Sequence, residues 1–445
     1  MSSRLFGTDG VRGVANTELT ADLAFRLGKA AVRFMGRKFV IGKDTRRSGD
    51  MLESALVSGI MSAGGHAYLA GVIPTPAVAL LVSRGDYDGG VVISASHNPP
   101  KYNGIKFFNE NGFKLSDSLE DEMQAYIEAG CPSDTAVEGR AVGKLHVMEN
   151  ASEKYISNAI KCMDGMDLKG MKIAVDCAHG ASCYTTPDAL RSLGAEVVAI
   201  NTTYTGDDIN VDCGSTNMKQ LRDTVLACHA DLGLAHDGDA DRLQAIDELG
   251  NEIDGDQIEA ICAIDLRDRG LLENGAVVTT VMSNLGLRKA MEREGIGVVS
   301  TKVGDRYVLE AMRDGGFVLG GEQSGHTIFL QHNTTGDGLV TALNLLAALK
   351  RSGKTLHELS QVMKKFPQSL VNVPVVDKTI FETSDSVVAK IDEHRDALGA
   401  DGNILVRASG TEKLIRVMVE AKDDETAARI ANDIADAIAK ADSGN

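Results

Sequence analysis

The chain contains no tryptophan, so motion between its parts leaves no intrinsic indole signal. It has no apolar run long enough to cross a bilayer as a helix, which disfavours a membrane-spanning protein. The opening residues, Met1-Ser2-Ser3-Arg4-Leu5-Phe6-Gly7, lack the apolar stretch of a secretory leader. Seven cysteines are scattered without a C-x-x-C pair, so neither a disulfide framework nor a zinc knuckle is indicated. A reduced, cytoplasmic protein is the expectation. Positive charge is in deficit: 46 Lys and Arg against 63 Asp and Glu give a formal net charge of −17. A field of that sign disfavours nucleic acid and acidic membrane surfaces as partners. An anionic substrate is admitted only where basic groups gather locally.

What is present reads as a globular α/β protein. With 445 residues, 43% of them apolar and 24% charged, the chain is long enough for roughly three or four compact units. Short apolar strands alternate with helical patterns, as in units built on parallel sheets. Phe39-Val40-Ile41 leads into a helix over 49–63 with Leu52, Ala55, Leu56 and Ile60 on one face, and the strand Val91-Val92-Ile93 follows. Residues 133–143 turn small and polar, a candidate linker. A second unit opens at Lys172-Ile173-Ala174-Val175-Asp176, with a helix over 186–193 and a strand over 196–200. A third runs from Val277–Val281 through helices over 285–294 and 306–313 to Phe317-Val318-Leu319. The three stretches share a rhythm but little residue identity, so any repeat is architectural. The last segment differs: strands over 403–407 and 414–419, then a helix over 425–439 with Ile430, Ile434 and Ile438 on one face, suggest a small α+β unit.

Ser96, in Ser94-Ala95-Ser96-His97-Asn98-Pro99, follows a buried-strand pattern, at the strand end where open α/β sheets place their ligands. It lacks a nucleophile-elbow pattern, which argues against acyl transfer, and alone it reads equally as a turn serine. The run Asp237-Gly238-Asp239-Ala240-Asp241-Arg242 carries more. Alternating aspartates on an extended backbone would project three carboxylates to one side. Their mutual repulsion calls for a cation, and hard oxygen ligands suit Mg²⁺. Glu248 stands where a calcium loop would close, but such a loop needs glycine where Arg242 sits and helical flanks, whereas the flanks here read as strands. A hydroxyl and a carboxylate cation site together point to phosphoryl transfer through a phosphoserine.

Three further segments carry chemistry. Gly320-Gly321-Glu322-Gln323-Ser324-Gly325-His326 follows a strand and offers groups for sugar hydroxyls. Arg407-Ala408-Ser409-Gly410-Thr411-Glu412-Lys413-Leu414-Ile415-Arg416 lies between two strands and makes a phosphate cradle of amides, hydroxyls and guanidiniums. Lys106 would serve in proton transfer if its pKa were lowered. Arg12 would contact the moving phosphoryl group or brace its loop, and His97 has no assigned role.

In chain order, Gly7-Thr8-Asp9-Gly10-Val11-Arg12-Gly13, the Ser96 segment, the aspartate run, Gly321–His326 and Arg407–Glu412 make five motifs. Their order resembles the α-D-phosphohexomutase superfamily over essentially the whole chain. The opening motif, the run 103–108 and Gln323 resemble its bacterial branch acting on glucosamine phosphates. The resemblance implies three related α/β mixed-sheet domains and a C-terminal α+β domain around a central cleft. The expected divisions are 1–150 with the phosphoserine loop, 151–252 with the metal loop, 253–368 with the sugar loop, and 369–445 with the phosphate loop. It also implies interconversion of glucosamine 6-phosphate and glucosamine 1-phosphate through glucosamine 1,6-bisphosphate, feeding UDP-N-acetylglucosamine and cell-wall synthesis. Alternatives are a glucose or mannose phosphate mutase, or a Mg²⁺-dependent sugar phosphatase.

By the same resemblance, Ser96 is the phosphoserine, and Asp237, Asp239 and Asp241 bind Mg²⁺ together with its phosphoryl group. Lys106 is the first acid–base candidate and His326 the second, with Arg12 offsetting charge. Gly304 and Asp305, in Val303-Gly304-Asp305-Arg306-Tyr307, orient the sugar; Arg242, Glu322 and Ser324 also hold substrate. Arg407, Ser409, Gly410, Thr411 and Arg416 hold the distal phosphate. The expected partner is a small hexosamine phosphate, and a homodimer is the candidate assembly. One departure stands out: Lys413 occupies a position where the family usually has proline, which bears on the stiffness of the phosphate loop.

Overall fold

The computed structural model describes residues 4–7, 9–132, 137–409 and 413–443. Four sheets organise them. The first has six strands in the spatial order Val11–Val14, Tyr102–Asn109, Gly89–Ile93, Lys38–Lys43, His66–Val72 and Leu145–Val147. The second has five: Glu252–Ile253, Leu243–Asp247, Leu232–His236, Lys172–Asp176 and Glu196–Ile200. The third has four: Gly297–Thr301, Ala276–Thr280, Leu319–Gly321 and Thr327–Phe329. The fourth is antiparallel, in the order Gln368–Pro374, Leu414–Glu420 and Asn403–Ala408. The chain therefore forms three mixed-sheet α/β units and a C-terminal α+β unit.

The first three units repeat one corner. In each, parallel strands lead to a strand that pairs antiparallel with its successor. The pairs are Gly89–Ile93 with Tyr102–Asn109, Leu232–His236 with Leu243–Asp247, and Leu319–Gly321 with Thr327–Phe329. The reversals carry Ser96, the aspartate run and Glu322 respectively. The inner strands are buried throughout, which is why they read as continuous apolar runs rather than alternating ones.

One continuous core runs through all three α/β units, joining Val78 and Val92 of the first to Ile173 and Leu234 of the second and Leu287 and Leu343 of the third. The C-terminal unit has a separate core, in which the helix Asp424–Ser443 lays Ile430, Ile434 and Ile438 on its sheet beside Val417 and Val419. Each such side chain contributes about 1.5–3 kcal/mol. Across the boundary between the two cores, Glu420 accepts from the Leu285 amide at 3.2 Å and Asn284 donates to Phe366 O at 2.9 Å. The seven cysteines are free thiols, all buried except the half-buried Cys228.

Three expectations change. Residues 133–136 of the candidate linker lie outside the described residues, but Leu145–Val147 beyond it completes the first sheet beside His66–Val72. The Gly143 amide bonds Met61 O at 3.0 Å, so this stretch packs on the first unit. The strand expected at 317–319 forms at Leu319–Gly321 instead, where Gly320 pairs in parallel with Val278 of the Ala276–Thr280 strand. The aspartate run is a turn rather than an extended strand, with Ala240 left-handed at φ 56°.

Candidate active site

Ser96 is buried and left-handed, with φ 52°, a conformation that costs a non-glycine residue about 1–3 kcal/mol and persists only where the surroundings impose it. Its amide donates to Ser94 Oγ at 2.9 Å, and that hydroxyl donates to Asp44 Oδ2 at 2.6 Å. The Ser96 hydroxyl donates to Asp237 Oδ2 at 2.7 Å and lies 3.2 Å from His97 Nδ1. Burial, then Arg242 and Arg12, push His97 down to about 4, so its ring is neutral at neutral pH.

The turn after Leu232–His236 brings one oxygen of each of Asp237, Asp239 and Asp241 within 4.8 Å of one another, all three residues being buried. Asp239 Oδ2 accepts from Lys106 Nζ at 2.8 Å and from Thr75 Oγ1 at 2.7 Å. Among the described residues, Asp239 Oδ1 and Asp241 Oδ1 are buried without a hydrogen-bond partner. Burial, then Asp241 and Asp239, raise the Asp237 carboxyl well above the usual carboxylate range. Orphaned carboxylate oxygens around a shared point are the donor set of a hard divalent cation. Gly238 lets the turn close, because a Cβ there would stand 2.7 Å from Ser96 O.

Lys106 departs from the expectation of a lowered pKa. Burial does push it down, but Asp239 and Asp9, at 2.8 and 2.9 Å, outweigh burial and raise it. With those carboxylates beside it, Lys106 is an ammonium. A divalent cation on the carboxylates would offset the charge that raises it, leaving burial to act in the direction proton transfer requires. Arg12 pairs with Asp9. His326 lies 3.5 Å from both Asp241 and Asp305. Burial disfavours its charged form, whereas Asp241 and Asp305 favour it. The Gly336 amide donates to His326 Nε2 at 3.1 Å, which opposes that charge. A ring nitrogen that accepts carries no proton, so this hydrogen bond fixes the neutral tautomer with Nδ1–H toward Asp241.

A cleft of about 680 Å³ opens over this cluster, lined by Arg12, Ser96, His97, Arg242, Glu322 and His326 among others. Gly304 and Asp305 line it too. Glu322 Oε1 accepts from the Gly304 amide at 3.1 Å, joining the sugar loop to the 303–307 segment. Asp305 is engaged by Lys114 of the first unit. Ser324 Oγ is buried and unpartnered among the described residues, and it does not line the cleft. A larger groove of about 850 Å³, lined by Tyr68, Arg84, Tyr87 and Lys161, gathers none of these groups.

The C-terminal candidates stand apart. Arg407 and Arg416 face each other in register across the hairpin, and neither they nor Ser409 line the cleft. Gly410 and Thr411 lie outside the described residues. Sequence reasoning missed Asp44, Arg46, Thr75, Lys114 and Asn210, all of which hold the cluster together. The one available signal was Lys43-Asp44-Thr45-Arg46-Arg47, a charged run directly after a buried strand.

Fold and site define a phosphohexomutase. The phosphoglucomutase/phosphomannomutase family matches the chain domain by domain: alpha/beta/alpha domain I over residues 3–132, II over 153–250, III over 254–366 and the C-terminal domain over 370–437. The chain belongs to this family. It is 53% identical over 442 residues to a phosphoglucosamine mutase of Clostridium novyi, covering 97% of this chain and 98% of that protein. It is 53% identical over 429 residues to a phosphoglucosamine mutase of Desulforamulus reducens, covering 95% and 96%. A phosphoglucomutase/phosphomannomutase family protein of Burkholderia thailandensis has the same fold, with a TM-score of 0.83 at 24% identity over 100% of this chain and 99% of that one. So does the Aspergillus fumigatus N-acetylphosphoglucosamine mutase crystallised with GlcNAc-6P and magnesium, with a TM-score of 0.71 at 20% identity over 98% and 96%.

Proposed function

We propose that the chain interconverts glucosamine 6-phosphate and glucosamine 1-phosphate through phosphorylated Ser96 and a glucosamine 1,6-bisphosphate. The reaction class rests on one observation: the Ser96 hydroxyl meets Asp237 at 2.7 Å inside a buried carboxylate trio. The sugar rests on the full-length similarity to phosphoglucosamine mutases. The product would feed UDP-N-acetylglucosamine and cell-wall synthesis. No described helix is long and apolar enough to cross a membrane, and a cytoplasmic site of action fits that role.

In the forward half-reaction the Ser96 Oγ–P bond breaks and a P–O bond forms to the free sugar hydroxyl, which gives up its proton. After the bisphosphate turns over in the cleft, the other phosphoryl group returns to Ser96 Oγ. Mg²⁺ held by Asp237, Asp239 and Asp241 would neutralise charge on the transferred group. Arg12 and Arg242 line the cleft and add positive charge beside that group. Lys106, once deprotonated, would take that proton in the first half-reaction and return it to the sugar oxygen in the second, with the neutral ring of His326 as the alternative. Glu322 holds sugar hydroxyls, aided by Gly304 and Asp305, and Ser324 would join it only if the loop turned its buried hydroxyl into the cleft. Arg407, Ser409, Gly410, Thr411 and Arg416 hold the distal phosphate. For these residues to reach the substrate, the C-terminal unit must swing toward the cleft, which also excludes water that would hydrolyse the phosphoenzyme.

The test is kcat/KM of the phosphoenzyme, with Mg²⁺, for the 1-phosphates of glucosamine, glucose and mannose. Preference for the amino sugar supports the proposal. Preference for glucose or mannose phosphate keeps the mechanism and changes the substrate, whereas phosphate release without isomerisation indicates a phosphatase.

A further inference from the structure

Arg46 is a buried arginine in the loop after Lys38–Lys43, and it does not itself line the cleft. Its Nε donates to Asp44 Oδ2 at 2.9 Å. One terminal nitrogen donates to Pro99 O at 2.7 Å and Tyr102 O at 2.9 Å. The other donates to Ser96 O at 2.9 Å and Asn98 O at 2.7 Å. Every N–H of the guanidinium is therefore used, in a planar fan that lysine cannot reproduce. All but one of these bonds end on the carbonyls of the segment that presents the phosphoserine.

A second side chain grips the same segment from another unit. Asn210 Nδ2 donates to Ser96 O at 2.9 Å and to Asn98 O at 3.3 Å. Asn210 is itself left-handed, φ 60°, and its amide is tied to Ala178 O at 3.0 Å. The two loops are docked nearby, where the Arg47 amide bonds Gly206 O at 3.1 Å. A Cβ on Gly238 would strike both Ser96 O, at 2.7 Å, and Asn210 Nδ2, at 2.8 Å. The Ser96 carbonyl is thus the meeting point of Arg46, Asn210 and the metal turn.

We propose that Arg46 and Asn210 form a clamp spanning the first two units. It holds Ser96 in its left-handed conformation and so aims Oγ at the aspartate trio. Both are positioning residues: they act through backbone carbonyls and touch neither substrate nor reacting atoms. The clamp also makes the phosphoserine loop and the metal turn one rigid part, so motion in the cycle is left to the rest of the cleft. This inference rests on the phosphoserine reading of Ser96.

The test compares Arg46→Ala, Arg46→Lys and Asn210→Ala with the wild-type phosphoenzyme. Misplacing the nucleophile should lower kcat by about 100-fold in both Arg46 variants while KM stays within about twofold. Asn210→Ala should lower kcat by about tenfold, since Arg46 still holds both carbonyls. Added guanidinium ion should restore part of the activity of Arg46→Ala and none in Arg46→Lys, where the side chain fills the space. Amide hydrogen exchange, read without substrate, should quicken over residues 94–104 and stay unchanged over 232–247. Unchanged kcat, a rise in KM alone, or exchange quickening equally across the first unit would each overturn the clamp. Should Arg46→Ala fail to fold, Asn210→Ala carries the same readouts. Failure of the wild-type protein to isomerise any hexose phosphate would sink the phosphoserine reading instead, and the exchange pattern would still judge the clamp.

Discussion

The corner that carries Ser96 and the hairpin between Arg407 and Arg416 are both reversals between antiparallel strands, built on opposite plans. The Ser96 corner is buried and held from neighbouring units, by Asp237 and Asn210 on the serine side and by Thr75 on Asp239. The C-terminal hairpin sets two arginines directly across from each other, a concentration of positive charge suited to an anion. Burial, then Arg416, lower the pKa of Arg407. Lys378 adds a third cation by donating to Ser409 O at 2.7 Å. The cores beneath differ in the same sense, one shared by three units and one private to the fourth. In the proposed cycle, bond making needs a fixed donor, whereas the distal phosphate would be gripped and released as the sugar turns over. On that reading the two demands are separated by domain.

The largest expected effect is on the rigid side. Ser96→Ala should abolish turnover while the unfolding midpoint moves by only a few degrees, at most about 4–5 °C. Isomerisation surviving in that variant would end the comparison at once. Asp239→Asn should cut kcat by about 10²–10³-fold and raise the Mg²⁺ concentration needed for half-maximal rate; an unchanged Mg²⁺ titration would remove Asp239 from the cation site. Arg416→Ala should act on the other side of the divide. Loss of a charge-assisted phosphate contact, about 1.5–3 kcal/mol, predicts a KM increase of about 10–100-fold with kcat largely kept. A fall in kcat without a change in KM would mean that the hairpin is part of the transfer machinery.

The smallest effect concerns the frame. Asp256 lies buried in the helix Gly255–Asp268, whose first amide holds the sugar loop through Gln323 O at 3.1 Å. Burial, then Asp254, push its carboxyl up to about 8. Its folded-state pKa is therefore above the unfolded value near 4, so the folded state retains the proton. Its stabilising contribution is complete below about pH 4 and is lost as pH rises toward 8. Asp256→Asn, which keeps an acceptor for the Asn284 amide, should flatten the decline of the unfolding midpoint between those limits. Parallel pH curves for variant and wild type would show that Asp256 is ionised in the fold.

Much of this was legible in the sequence because the signals were local. Val91-Val92-Ile93 marks a buried strand, and the serine and aspartate runs stand directly after such strands. The strand Gln368–Pro374 was not legible, since most of its residues are exposed or half-buried and it ends in proline. Arg46 was missed for a different reason. A basic residue beside Lys43 and Arg47 reads as solvated surface, and only the fold shows that carbonyls from residues 96–102 converge on it. Lys106 was legible as a proton-transfer candidate, but the charges that raise its pKa against burial, Asp239 and Asp9, lie far off in the chain. The turn of the aspartate run was misread as extended, since alternation alone cannot show the left-handed Ala240.

The distribution of thiols has a practical use. Every cysteine lies at or before position 262, and only Cys228 is even half-exposed. The C-terminal unit is therefore blank to thiol reagents, and the rest of the native protein is nearly so. A single cysteine introduced by Lys413→Cys, at an exposed site on the phosphate hairpin, would accept a dye with only Cys228 in competition. In a protein with no indole of its own, that dye would report, against a dark background, whether the fourth unit swings during turnover as the proposed cycle requires.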